Sequence, residues 1–224
     1  MEILFWFFTY LVIHPFLIYP YSLVLLSRLR DWYRGVDQGL VQSAPSPESP
    51  ASSRWEPRVA LVISTYNEGK SIESKLRNSE ELDYPEDRLH VYLLSDGCDD
   101  ETMSTAARFS NTTVFHSEIR RGKSAVIEEF VPGIDTDILV FSDANSLYDS
   151  RAIRFLVEPF RDPSMGYVVG CQKYFEAKNL PAAEAENVYW NRESWIKSLE
   201  SQLGSVVGGD GAIYAIRRSD YVSL

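Results

Sequence analysis

Asp143 and Asn145 close the run Ile138-Leu139-Val140-Phe141-Ser142-Asp143-Ala144-Asn145-Ser146, in which strand-forming residues lead directly into an acidic turn. A carboxylate and an amide oxygen one residue apart, delivered to the carboxyl edge of a sheet, offer two hard donors to Mg2+ or Mn2+. The pair therefore reads as a metal and diphosphate site, with an Asx-turn capping the next helix as the plainer alternative. Glu68 and Asp96 end two further apolar runs, at 59–63 and 90–94. In a parallel sheet such ends face one way, and three like charges gathered there repel one another, so capping alone is a poor account of all three. Lys123, after Arg120-Arg121-Gly122, supplies a point charge for a diphosphate; a solvated helix start is its bland reading, and a helix N-cap that of Asp99 or Asp100. A nucleotide-sugar donor suits this cleft, with Asp96 toward base or ribose, Asp143 toward ribose and metal, and Lys123 toward the diphosphate. A bound cation would offset the charge on the departing nucleoside diphosphate.

The elements that must position these residues alternate. Strand-forming runs at 59–63, 90–94, 112–116, 138–142, 167–172 and 212–216 predict strands, and helical patterns fall at 72–79, 102–109, 124–130, 153–157 and 182–202. The alternation predicts an α/β fold with a mostly parallel sheet and flanking helices. In 182–202 the stripe Val188, Trp195, Ile196, Leu199 and Leu203 predicts an amphipathic helix whose apolar face is core.

Before this domain, residues 3–26 form a run of 24 with no formal charge when His14 is neutral. That length crosses about 30 Å of hydrocarbon as a helix. Arg28, Arg30 and Arg34 follow it and only Met1 and Glu2 precede it, which predicts an anchor with the remainder of the chain in the cytoplasm. A buried amphipathic hairpin is the alternative. Residues 35–57, rich in Ser and Pro, read as a tether. The predicted organisation is an anchor with a basic flank at 1–34, the linker at 35–57, and the α/β domain at 58–224.

The chain has 224 residues, 45% of them hydrophobic, enough to bury a core. A net charge of −10 argues against a general nucleic-acid binder, which needs a basic face for phosphates. Cys98 and Cys171 give neither a disulfide framework nor a metal-type spacing, so a reducing compartment is the simpler expectation. A sugar nucleotidyltransferase would place a Gly-rich phosphate loop after the first strand, and Ser64 to Glu68 has none.

Five elements carry a resemblance. Ser64-Thr65-Tyr66-Asn67-Glu68, Ser95-Asp96-Gly97-Cys98-Asp99-Asp100, Arg121-Gly122-Lys123, Phe141-Ser142-Asp143-Ala144-Asn145 and the run from Gly208 to Arg218 resemble, in order, glycosyltransferase family 2 in its membrane-bound bacterial branch. The resemblance implies a GT-A fold, a nucleotide-sugar donor (a UDP-sugar foremost), a divalent cation, inversion at the anomeric carbon, and a glycan or lipid-linked acceptor. Carried over by position, Ser64, Tyr66, Glu68 and Asp96 hold the nucleoside, Lys123 the phosphates, and Asp143 with Asn145 the cation. Asn145 stands where many members have a second Asp. The family's general base and acceptor-side motif are expected beyond Leu224, with Asp210 as the nearby substitute, so a truncated or split donor-binding chain, completed by a C-terminal fragment or membrane subunit, is the competing expectation.

Overall fold

The computed structural model describes residues 1–34, 55–171, 181–206, 208–209 and 211–223, with backbone alone for 181–190. Contacts divide the chain into two units, one helical and one α/β.

In the α/β unit, six strands form one sheet: β1 (Val59–Thr65), β2 (Leu89–Asp96), β3 (Thr112–Ser117), β4 (Ile138–Asp143), β5 (Tyr167–Val169) and β6 (Ile213–Arg217). Their order is β3-β2-β1-β4-β6-β5. The first four run parallel, and β6 is antiparallel to both β4 and β5. The central strands are apolar on both faces because both faces are covered. Val59, Leu61 and Ile63 point into one cluster with Ile72 and Leu76 of α3 (Ile72–Glu80) and with Ile153, Leu156 and Val157 of the 152–157 helix. Ala60 and Val62 point into the other, with Val126 of the 123–130 helix and Phe141.

Two predicted elements are shorter than expected. The helix expected over 102–109 is α4 (Thr102–Ala106). It tightens into i+3 turns at Arg108 and Phe109, which turn the chain into β3. The strand expected over 167–172 keeps ladder form only to Val169, with one further bond from Gly170 N–H to Ile213 O at 3.0 Å; Gln172 lies outside the described residues. Numbered in chain order, the remaining helices of this unit are α5 (Lys123–Phe130) and α6 (Ala152–Val157).

The helical unit holds an N-terminal helix that is continuous over Glu2–Tyr33, long and apolar enough to cross a membrane by length and composition. It comprises α1 (Glu2–Ile13), a π turn (His14–Ile18) and α2 (Tyr19–Arg34). Pro20 has no N–H, so the carbonyls four and five residues before it, Phe16 and Pro15, lose their helical partner. Arg192 of α7 (Pro181–Leu203) supplies the missing donor, reaching Phe16 O at 2.5 Å and Pro15 O at 3.2 Å while its guanidinium lies over the Phe16 ring. Tyr19 also donates a hydrogen bond to Glu200 of α7. The expected core stripe on this helix is met in part: Leu199 is buried, Ile196 and Leu203 are half-buried, Trp195 is exposed, and the Val188 side chain lies outside the described residues. Arg192→Ala leaves two carbonyls without a donor, a loss of about 1.5–3 kcal/mol for a charge-assisted bond. Hydrogen exchange across 191–203 is expected to accelerate at least about tenfold, and an unchanged rate would remove Arg192 from this role.

Candidate functional site

β1 is flanked by β2 on one side and β4 on the other, so the crossovers reverse direction there, and ligands in open α/β sheets collect outside the carboxyl ends at such a point. Register fixes what arrives. Ser64 of β1 pairs with Asp143 of β4, and Thr65 pairs with Ser95, one residue before Asp96. Asp96 and Asp143 thus stand on either side of the β1 end, two strand spacings or roughly 10 Å apart. They open onto one cavity of about 270 Å³, which Ser64, Tyr66, Glu68, Lys123 and Asn145 also line. All seven of the expected site residues within the described chain meet there; Asp210 lies outside the described residues.

The three carboxylates expected to crowd one another at the strand ends are each compensated within the chain. Among the described residues no three His, Cys, Asp or Glu side chains form a metal-holding cluster. Each acid has its own partner. Asp96, 5% exposed, accepts from Arg121 N–H at 2.7 Å and Gly122 N–H at 2.8 Å, one on each oxygen. Glu68 accepts from the Ser71 hydroxyl at 2.5 Å. Asp143 pairs with Lys123 Nζ at 2.5 Å, and the same ammonium reaches Gly211 O at 3.3 Å. Lys123 therefore faces the acid expected to hold the cation as well as the place expected for phosphates.

Two turns are laced together around the cavity mouth. Asn67, at φ 51°, exchanges side-chain bonds with Asp99: its amide donates to Asp99 Oδ1 at 2.7 Å and its oxygen accepts from Asp99 N–H at 3.1 Å. Asp100 accepts from Gly69 N–H and from Thr102 N–H, and the Thr102 bonds hold its carboxyl below the usual range. Asp100 is not the N-cap of α4, which is Glu101; it forms an Asx turn just before the helix, with a second bond across to the first turn. Gly97, at φ 71°, admits no side chain, since a Cβ there would lie 2.6 Å from Arg120 N. That close approach brings Arg120 over the Tyr66 ring, 3.9 Å from its centroid, as a further lining residue. Neither Arg120 nor its stacking was legible, because the approach depends on Gly97.

Lys75 was also missed. It sits on α3, side chain wholly buried, and donates to Ser146 O at 2.6 Å with its ammonium 3.7 Å from the Tyr148 ring centroid. Its signal was present: with Ile72, Leu76 and Ser79 it occupies the i, i+3, i+4, i+7 face that should be apolar. Burial pulls its pKa from 10.5 down to about 7, with the Asp143 charge opposing. The unfolded chain then binds the extra proton between those values, so the burial penalty is complete below about pH 7 and fades as pH rises. Thermal melts are expected to show Tm climbing from about pH 7 to about pH 9, and the climb to shrink in Lys75→Met.

The Asp143 carboxylate and Asn145 amide at the cavity wall are hard oxygen donors. They fit a Mg2+ or Mn2+ that takes its other ligands from phosphate and water, the usual arrangement where a protein offers one or two carboxylates.

The mixed, mostly parallel sheet with this cleft at its reversal point is shared with glycosyltransferases of the GT-A fold, as the following matches show. The profile of the family described as glycosyltransferase like family 2 matches residues 57–221, and the chain belongs to that family. A mannosyltransferase from Pyrobaculum calidifontis, solved with GDP-Man and Mn2+, superposes with a TM-score of 0.64 over 90% of this chain and 56% of its own, at 24% identity, a likeness of fold. Glycosyltransferase AglD of Haloferax volcanii is 33% identical over 110 residues, 46% of this chain and 18% of its own length. The poly-beta-1,6-N-acetyl-D-glucosamine synthase of Staphylococcus epidermidis is 25% identical over 165 residues, 72% of this chain and 40% of its own. The chain thus spans less than half the length of these two relatives.

Proposed function

We propose that this chain binds a nucleotide-diphosphate sugar with a divalent cation and transfers the sugar, with inversion, to a hydroxyl of a glycan or lipid-linked acceptor at the membrane. The observation that carries this is the single cavity at the reversal point, lined by Ser64, Tyr66, Glu68, Asp96, Lys123, Asp143 and Asn145. Tyr66, under Arg120, offers a stacking face for a base. Lys123 is placed to leave Asp143 for the diphosphate, and Asp143 with Asn145 would hold Mg2+ or Mn2+, which supplies charge neutralisation for the leaving group. The mannosyltransferase structure holds GDP-Man, whereas the resemblance read from the sequence implies a UDP-sugar foremost, so a UDP-sugar is the first donor to test and a GDP-sugar the second.

In the transfer, the bond from the anomeric carbon to the diphosphate oxygen breaks and its electron pair leaves with the nucleoside diphosphate. The acceptor oxygen bonds to the opposite face of that carbon, and its proton passes to a base. No described cavity carboxylate is assigned as that base, since Asp96, Glu68 and Asp143 are each engaged as above. The N-terminal helix is proposed to anchor the chain in a lipid bilayer, with the α/β unit on the cytoplasmic side where Arg28, Arg30 and Arg34 lie.

The test is a panel of UDP- and GDP-sugars, with Mn2+, with Mg2+ or with EDTA, scored for binding and for nucleotide release. At least one donor is expected to bind more tightly with the cation, and failure of every donor to bind overturns the reading. The engaged carboxylates favour one rival, a donor-binding chain without transfer. Binding without release of nucleotide, even with acceptor-bearing membranes added, selects that rival.

A further inference from the structure

We infer that Lys75 is a positioning residue for the Asp143–Ser146 turn: from inside the protein it fixes the backbone that presents Asp143 and Asn145 to the cavity. The inference rests on the donor-binding reading of that cavity.

The turn closes on itself through Ser146 N–H to Asp143 O at 3.3 Å, and α3 adds two supports. Asn78 clamps the chain two residues beyond it, accepting from Tyr148 N–H at 2.7 Å and donating to Tyr148 O at 2.9 Å. Lys75, three residues earlier on the same helix face, holds the turn itself at Ser146 O, the residue next to Asn145. The Tyr148 ring closes over the ammonium, and its hydroxyl donates to Phe141 O at 3.2 Å and Ala212 O at 3.0 Å. Lys75, Tyr148 and Ala212 thereby connect the wall carrying Asp143 to the segment whose Gly211 carbonyl also receives Lys123.

Stability does not explain a lysine here. Its ammonium is wholly buried, with one carbonyl and one aromatic face as its contacts, and replacing such a group by an apolar side chain of similar length is commonly neutral or stabilising. Asn78 already pins the chain just beyond the turn. What a methionine would not provide is a donor at Ser146 O, and with it a fixed position for the backbone that carries Asp143 and Asn145.

The test compares wild type, Lys75→Met and Lys75→Gln as full-length protein in detergent, titrated with UDP and with GDP, each with Mn2+ and with EDTA, alongside thermal melts. Lys75→Met is expected to melt no lower than wild type and to bind nucleotide within twofold of wild type in EDTA. The tightening that Mn2+ confers should fall at least tenfold, and Lys75→Gln, which keeps a donor, should recover part of it. A Lys75→Met chain that keeps the full Mn2+ effect overturns the inference, as does one that loses affinity equally with and without Mn2+. If Lys75→Met does not fold, Lys75→Gln carries the same comparison, a preserved Mn2+ effect again overturning it. Wild type that binds neither nucleotide in any condition refutes the donor-binding reading instead, which separates the two failures.

Discussion

Asp143→Ala is expected to weaken Mn2+-dependent UDP binding roughly a hundredfold or more, since the loss even of outer-shell partners weakens metal sites tenfold to a hundredfold. The same substitution should act in the opposite direction without metal. In EDTA, Asp143 is a negative charge beside the place proposed for a diphosphate, and it holds the Lys123 ammonium at 2.5 Å. Removing it frees that ammonium and lifts a like-charge repulsion. Both side chains are about 40% exposed, so the gain is screened to about 1 kcal/mol, or a few-fold tighter binding. Isothermal titration under the two conditions reads both signs in one experiment. A variant weakened equally in both would show that Asp143 shapes the cavity without serving a cation.

The contrast between these residues and those that were missed shows what the chain discloses by itself. Asp96 and Asp143 were legible because each ends a strand, and Glu68 because it lies in the turn just after one; period and turn chemistry fix where a strand stops. Their convergence was legible because parallel strands share a polarity. Their partners were not. Asp96 finds its two amides 25 and 26 residues away, and Lys123 meets an acid 20 residues on, through the sheet order and not through local spacing. The order β3-β2-β1-β4-β6-β5 itself turns on β6 entering antiparallel beside β4, and a five-residue strand reads the same in either direction. The 182–202 helix was legible as a helix, yet what it packs against depends on Pro20 freeing carbonyls that an arginine far along the chain can satisfy.

Asp96→Ala is expected to have the largest effect on the fold of any single change at the cavity. The carboxylate is 5% exposed and each oxygen accepts one backbone N–H, at 2.7 and 2.8 Å. Charge-assisted bonds of this kind contribute about 1.5–3 kcal/mol each, and their removal leaves two amides without an acceptor, so a loss of about 3–5 kcal/mol is expected. For an α/β unit of this size that is a Tm lower by roughly 10 °C. Asp96→Asn should recover little, because an amide offers one acceptor and turns its NH2 toward the second N–H. The functional loss should exceed the loss of fold. Gly122, held by Asp96 at φ 95°, immediately precedes Lys123 at the start of α5, so the carboxylate sets where that ammonium emerges. At temperatures where the variant is still folded, UDP affinity is expected to drop about tenfold or more with and without Mn2+ alike, unlike the metal-specific losses at Asp143 and Lys75. A variant melting within a degree or so of wild type would mean that the 121–122 turn holds itself, and that Asp96 is free to serve a nucleoside directly.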